Sequence, residues 1–217
     1  MNAMLPDVRH ELPGWTLFWA RFANITPDVG AATGLCGAVA LRVRASYVLD
    51  KLAEHPTVAA VRRLFRQAGC DPTRYRPSSE ALLRRLLKGE ELPAIHPLVD
   101  LNNCLSVELA VPACVLDLTT VTPPLVLRAG RPGESMLSMR GDFDLAGKPL
   151  LADEQGPFGT PITDSERVKV TAATASVWLV AYLPVGVVAP DDAAACLRRL
   201  VTRAPVARLG ATAHTPT

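Results

Sequence analysis

The sequence predicts an α+β fold, with a β-sandwich-like core flanked by helices. Three observations carry this. Nineteen prolines in 217 residues favour many short strands and turns over a helical bundle, because proline cannot donate a ladder hydrogen bond and breaks helix interiors. The second half holds apolar runs of period two bounded by Pro and Gly, the mark of strands. The first half holds two short amphipathic segments with helix start and stop residues at their ends. The chain is 49% hydrophobic and only 5% aromatic, so a single core built mainly from Leu, Val and Ala is expected.

Taken in order, Trp15 to Ile25 (WTLFWARFANI) is aromatic and β-prone, and it is entered through Pro13-Gly14. It reads as an opening strand. Asp28 to Gly37 is Gly/Ala-rich and does not choose between helix and loop. Ala38 to Leu52 reads as a helix. The next helix spans about Pro56 to Ala68, with proline in its first turn and Gly69 suited to the left-handed position after its last. Val58, Val61, Leu64, Phe65 and Ala68 form its apolar stripe. A further helix spans about Ser79 to Lys88, with Ser78 as N-cap and Gly89 beyond its end. Leu82, Leu83, Leu86 and Leu87 point inward.

PPLVLRAG, KPLLADEQG and ASVWLVAYLP read as strands. Asp191 to Arg203 reads as a closing helix. Its acidic pair Asp191 and Asp192 sits at the positive end of the helix dipole, and Arg198, Arg199 and Arg203 sit at the negative end. Residues 1–204 read as one domain and 205–217 as a disordered tail.

The net charge of +2 conceals an asymmetry. Arg62 to Lys88 holds eight basic and two acidic residues, a local +6, and the remainder sums to −4. One basic face is implied. The basic residues are Arg62, Arg63, Arg66, Arg74, Arg76, Arg84, Arg85 and Lys88, with Tyr75 among them. Arginines beside an aromatic suit RNA phosphate contact and base stacking. A solvated outer face accounts for the same pattern.

The five cysteines are widely spaced without any CxxC, and the four histidines form no pair at helical spacing. Reduced thiols in a cytoplasmic protein are the expectation, with no disulfide, zinc or other cofactor. The opening MNAMLPDVRHELPGW has no basic region followed by an apolar run, so no signal peptide is expected. No apolar run reaches the ~20 residues of a membrane span. No Ser-His-Asp order, P-loop or GxGxxG element occurs, and Gly30-Ala31-Ala32-Thr33-Gly34 is too loose for a phosphate loop.

The most informative block is LPAIHPLVDLNNCLSVELAVPACVLDL, from Leu92 to Leu118. An apolar segment expected to be helical carries Asp100, Asn102, Asn103 and Ser106 in its middle. Such side chains compete for backbone hydrogen bonds and disfavour helix interiors. Asp100 and Asn103 share a face, as do Asn102 and Ser106. They line a ligand pocket on one reading, and cap the helix or bond a neighbouring loop on the other. Cys114 is a nucleophile, a pocket-lining residue or a packed thiol, and His96 is the one histidine placed to serve it as a base.

The order of these blocks resembles the editing domain of the phenylalanyl-tRNA synthetase β subunit, the B3/4 domain. IHPLVDLNN (Ile95 to Asn103) is similar to that family's Ile-Asn/Asp-x-Val-Val-Asp-x-Thr-Asn helix. Glu108, Leu109, Ala110, Val111 and Pro112 match its Glu-Leu-Gly-Gln-Pro, and Asp117 matches a following Asp. Leu127-Arg128-Ala129 with Gly133-Glu134, then Leu150-Leu151-Ala152-Asp153, match two later strand blocks. The resemblance covers roughly residues 92 to 160, and RYRPSSEALLRR looks like helices of free-standing bacterial relatives.

The resemblance implies a free-standing, cytoplasmic module that recognises aminoacyl-tRNA or a small amino-acid-like ligand, with no membrane or DNA partner. If it is an enzyme, the implied reaction is hydrolysis of mischarged aminoacyl-tRNA esters. Arg128, Glu134 and Asp153 then either hold a zwitterion or pair with one another. Three positions depart from the family. Cys114 stands where a pocket His is expected, Val180 falls near the pocket Glu, and the glycine-rich turn survives only in Gly156 and Gly159. These departures suggest a second reading, a non-catalytic binder or interaction protein that has lost the editing residues.

Overall fold

The structure is a computed structural model that describes residues 6–215. Two four-stranded sheets stack face to face. In the first, Val8–His10 (β1) lies parallel to Leu125–Ala129 (β4), followed by Pro149–Asp153 (β7) and Gly156–Gly159 (β8), both antiparallel. In the second, Arg208–His214 (β10), Trp15–Ala23 (β2), Ser176–Pro184 (β9) and Ala113–Asp117 (β3) lie side by side, all antiparallel. A hairpin of Ser135–Ser138 (β5) and Gly141–Asp144 (β6) stands apart. The helices are Thr33–Ser46 (α1), Pro56–Ala68 (α2), Ser78–Leu87 (α3), Pro97–Leu109 (α4) and Pro190–Arg203 (α5). The expected α+β sandwich flanked by helices is the observed architecture.

The central strands β2 and β9 are apolar on both faces because both faces are covered. Trp15, Leu17 and Trp19 of β2, with Trp178, Val180 and Tyr182 of β9, enter the core between the sheets. Phe18, Ala20 and Phe22, with Val177, Leu179 and Ala181, enter a second core beneath α1, α3, α4 and α5. Helix α2 closes one end of the sandwich. Its Val61, Leu64 and Phe65 join the inter-sheet core, where Phe65 meets Trp15 edge-on with ring centroids 6.4 Å apart.

Several boundaries differ from expectation. The helix expected from Ala38 to Leu52 runs from Thr33 to Ser46, and a 3-10 turn follows at Leu49–Glu54. Tyr47 and Val48 are extended and break the run. Helix α3 is capped by Pro77, and Ser78 is its first residue. The short β1, β3 and the β5–β6 hairpin carry too few residues to show a period in the sequence.

The expected tail is corrected most. Residues 208–214 form edge strand β10 on β2. Thr215 then locks its end, its amide donating to Leu17 O and its Oγ1 accepting from Leu17 N. An uncovered edge of β2 would leave a row of unpaired amides, and the tail satisfies them. Residues 216–217 lie outside the described residues.

Two backbone positions have steric consequences. Gly130 links β4 to the hairpin segment by donating to Lys148 O, and a Cβ there would collide with the Leu145 carbonyl. Gly130→Ala is expected to cost about 1–3 kcal/mol as an overpacking change, read as a lowered midpoint in urea unfolding. Ala110 ends α4 in the left-handed region at φ 55°, a conformation that favours glycine. The matched motif carries glycine at that position.

Candidate functional site

Helix α4 begins at Pro97 with His96 as its N-cap, whose Nδ1 accepts from Leu98 N. The four polar residues of its interior are all buried, and three are tied to nearby backbone. Asp100 Oδ1 accepts from Ile95 N, Ser106 Oγ donates to Val111 O, and Asn102 Nδ2 donates to Ala113 O. Burial pushes the Asp100 carboxyl up despite the Ile95 amide. These contacts fasten the loop before α4 and the turn into β3. Asn103 is 8% exposed.

Helix α4 also lies on the wrong side of a sheet for the expected pocket. Its apolar residues Leu98, Leu101, Cys104 and Leu105 pack in the helical core with Val115 of β3. Cys114, one residue earlier, points through to the inter-sheet core. Asp100, Asn102, Asn103 and Ser106 therefore do not share a cavity with Cys114, and His96 cannot serve it as a base. The single pocket expected from this block is not what the fold builds, because strand alternation sends neighbours to opposite faces.

Arg128 and Glu134 form a bidentate pair at 2.6 and 2.8 Å. This pair holds Glu134 low and raises Arg128 further. Asp153 pairs with Arg167 instead, accepting from both terminal guanidinium nitrogens at 2.9 and 3.0 Å and from the amides of Thr122 and Gln155. Both acids are saturated, so the arrangement is that of structural ion pairs.

The basic stretch divides in two. Arg62 and Arg76 pair with Glu80, which is 1% exposed, and Arg85 pairs with Glu90. Arg63, Arg66, Arg74, Arg84 and Lys88 have no acidic partner among the described residues. Tyr75 is half-buried: the Lys148 ammonium lies 3.8 Å from its ring centroid, and Phe143 meets it edge-on. Its ring is therefore already occupied.

A different constellation stands in the inter-sheet core. Val180 is flanked on β9 by Trp178 and Tyr182, and its partners across the sheet are Trp19 and Cys114. Trp19 and Trp178 meet edge-on at 5.8 Å. Asp164 reaches in from the loop after β8, with its Oδ1 against Gly159, where a Cβ would stand 3.0 Å away. The Cys114 thiol lies against both Asp164 and Tyr182.

Asp164 Oδ1, Tyr182 Oη, Trp19 Nε1 and Trp178 Nε1 are all buried and have no partner in hydrogen-bonding geometry. Each such group costs about 1–3 kcal/mol. Burial pushes the Asp164 carboxyl up to about 7, and it drives the Cys114 thiol and the Tyr182 phenol well above their ordinary ranges.

The arrangement can take a cation or a neutral donor on Asp164, and acceptors on the two indoles. It is ill-suited to nucleophilic attack by sulfur, since a thiol so raised carries little thiolate. Iodoacetamide at pH 8 is expected to leave Cys114 unmodified in the folded protein and to label it after unfolding, as read by peptide mass spectrometry. Sequence reasoning missed Asp164, which no motif marks. Trp178 and Tyr182 were within reach, since a period-two reading of β9 puts them on one face.

Two open clefts lie elsewhere. One of about 530 Å³ is bounded by Thr16, Val185 and Asp192, and another of about 350 Å³ by Leu12, Trp15 and Leu64. Among the described residues no helix is long and apolar enough to cross a membrane, and no group of three or more His, Cys, Asp or Glu side chains is placed to hold a metal.

Fold and site together define an α+β sandwich module with a polar group buried between its sheets. The B3/4 domain model matches residues 60–196, well over half of the sequence, and the chain belongs to that family. Among solved structures, an N-terminal fragment of the phenylalanyl-tRNA synthetase beta-subunit from Pyrococcus horikoshii is similar at 12% identity and a TM-score of 0.47. The match covers 98% of this chain and 54% of that one, so the chain spans about half the length of the fragment. No curated protein matches the sequence.

Proposed function

We propose that this protein binds a small amino-acid-like molecule between its two sheets, with the ligand's ammonium on Asp164. The observation that carries this reading is the set of four buried, unpartnered polar atoms in and beside the inter-sheet core, with Asp164 and Tyr182 against Cys114. A ligand amine would neutralise the carboxylate, and the indole N–H groups and the Tyr182 hydroxyl would meet its oxygen atoms. Asp164 as a residue is partly exposed while its Oδ1 is buried, so the Thr160–Ser165 loop is the natural entrance.

This reading replaces the one centred on α4. It favours a binder over a sulfur-based hydrolase, because the thiol at Cys114 is held protonated. The test is a thermal-shift and calorimetric screen of free amino acids, their amides and their esters at pH 7.5. At least one is expected to raise the melting temperature of the wild type and to leave Asp164→Asn unchanged. Complete absence of binding across all three classes would remove the proposal.

A tRNA-borne amino acid is the second reading, favoured by the unpaired cations Arg63, Arg66 and Arg74. Here a salt-sensitive tRNA complex is expected, with each lost phosphate contact lowering the salt slope by about 0.7–0.9. Arg63→Ala and Arg66→Ala would show this, and incubation with mischarged tRNA would reveal any ester hydrolysis. Free ligands that bind while tRNA does not would leave the small-molecule reading alone.

A further inference from the structure

Cys36 and Cys104 lie outside the inter-sheet site, and the ligand reading uses neither. Cys36 is in the first turn of α1 and Cys104 is on α4. Their Sγ atoms stand 3.6 Å apart, across 68 residues of sequence. A disulfide needs the two sulfurs to close to about 2.05 Å. We propose that these two cysteines form a dithiol that a hydroperoxide closes reversibly into a disulfide, tying α1 to α4.

The two thiols are unequal in a way that assigns their roles. Cys36 is partly buried, whereas Cys104 is fully buried. A Cβ built at Gly34 or Gly37, either side of Cys36, would meet nothing within 4 Å, so a small oxidant has room to approach. The hydrogen bond that the two thiols share lowers Cys36 and, together with burial, raises Cys104, the more enclosed of the two. Burial also pushes Cys70 and Cys196 up to about 11, and Cys114 is raised well above its ordinary range.

Cys36 is accordingly the sulfur that reacts first. Its thiolate attacks the terminal oxygen of the peroxide, the O–O bond breaks, and hydrogen peroxide leaves one oxygen as water and one on sulfur as a sulfenic acid. Cys104 then attacks the Cys36 sulfur, the S–S bond forms, and the sulfenic oxygen departs with the Cys104 proton as a second water. Two thiols lose two electrons in all, and one peroxide becomes two waters. An external thiol reverses the step by exchange. The closed form anchors α4, whose Asn102 holds the start of β3 and thereby the strand that carries Cys114.

The test treats the purified full chain with equimolar hydrogen peroxide, blocks with N-ethylmaleimide under denaturing conditions, and maps peptides without reduction. The expected result is loss of two of the five alkylatable thiols, an intrachain Cys36–Cys104 peptide, and recovery of both thiols with dithiothreitol. In Cys104→Ser, dimedone is expected to trap a sulfenic acid on Cys36. In Cys36→Ser, four thiols are expected to survive the same dose. Oxidation appearing first at Cys70, Cys114 or Cys196, or no Cys36–Cys104 peptide in the wild type, overturns the proposal. The wild-type map decides alone if a variant fails to fold.

Discussion

Asp164→Asn is expected to stabilise the unliganded protein at neutral pH and to remove its affinity for amines. The Asp164 carboxyl has an ordinary value of 3.8 and lies at about 7 in the fold, because burial opposes its charge. Between those values the folded protein holds a proton that the unfolded chain releases. The contribution of Asp164 to stability is therefore greatest below pH 4 and falls as pH rises to about 7, by on the order of 4 kcal/mol in total. Asparagine is neutral throughout, so the variant loses that slope. Urea unfolding at pH 5 and pH 8 checks this: the wild type loses stability relative to the variant across the interval, a comparison in which the opposite slope from the partly buried histidines cancels. A wild-type-to-variant difference that is the same at both pH values would sink the assignment of a buried carboxyl with a raised pKa. Ligand binding runs the other way with pH. An ammonium binds the ionised carboxylate, so wild-type affinity rises through pH 7 and the variant shows none.

Asp153→Ala is expected to be the most damaging of the ion-pair changes. The Asp153 side chain is fully buried and accepts four hydrogen bonds, two from Arg167 and one each from the Thr122 and Gln155 amides. Truncation leaves a guanidinium and two amides without partners. Removing one member of such a pair costs about 3–5 kcal/mol, which for a chain of this size lowers the melting temperature by roughly 10 °C. Ligand affinity per folded molecule should be retained, because Asp153 braces β7 against the Arg167 turn and does not belong to the inter-sheet group. Loss of binding with unchanged melting temperature would return Asp153 to the role of ligand residue.

These two aspartates show where reading the sequence succeeds and where it stops. Asp153 falls in a matched block, yet its partner Arg167 is 14 residues away across an irregular loop, beyond any local pattern. Asp164 sits in TPITDSER, a polar loop indistinguishable from a solvated one. What distinguishes it is that the loop folds inward against Gly159. Cys114 faces the inter-sheet core, whereas the helix α4 that carries its expected companions packs on the other side of β3. Of the arginines read as one basic face, three are consumed by Glu80 and Glu90, acids whose positions only the packed helices define.

Local pattern alone carries the α+β class, helix α2 with its proline start and glycine end, the strands β2, β4, β7 and β9, and the blocks shared with the B3/4 family. Those are local facts, set by periodicity, capping and backbone sterics within a dozen residues. Packing in three dimensions makes the tail an edge strand and ties Asp100, Asn102 and Ser106 of α4 to neighbouring backbone, leaving the Asn102 Oδ1 without a partner. It likewise decides that a carboxyl, a phenol and two indoles are each left unpartnered in and beside the inter-sheet core. The reason is physical: which face of a strand is covered, and by what, depends on sheet stacking, and stacking joins residues that the chain keeps more than a hundred positions apart.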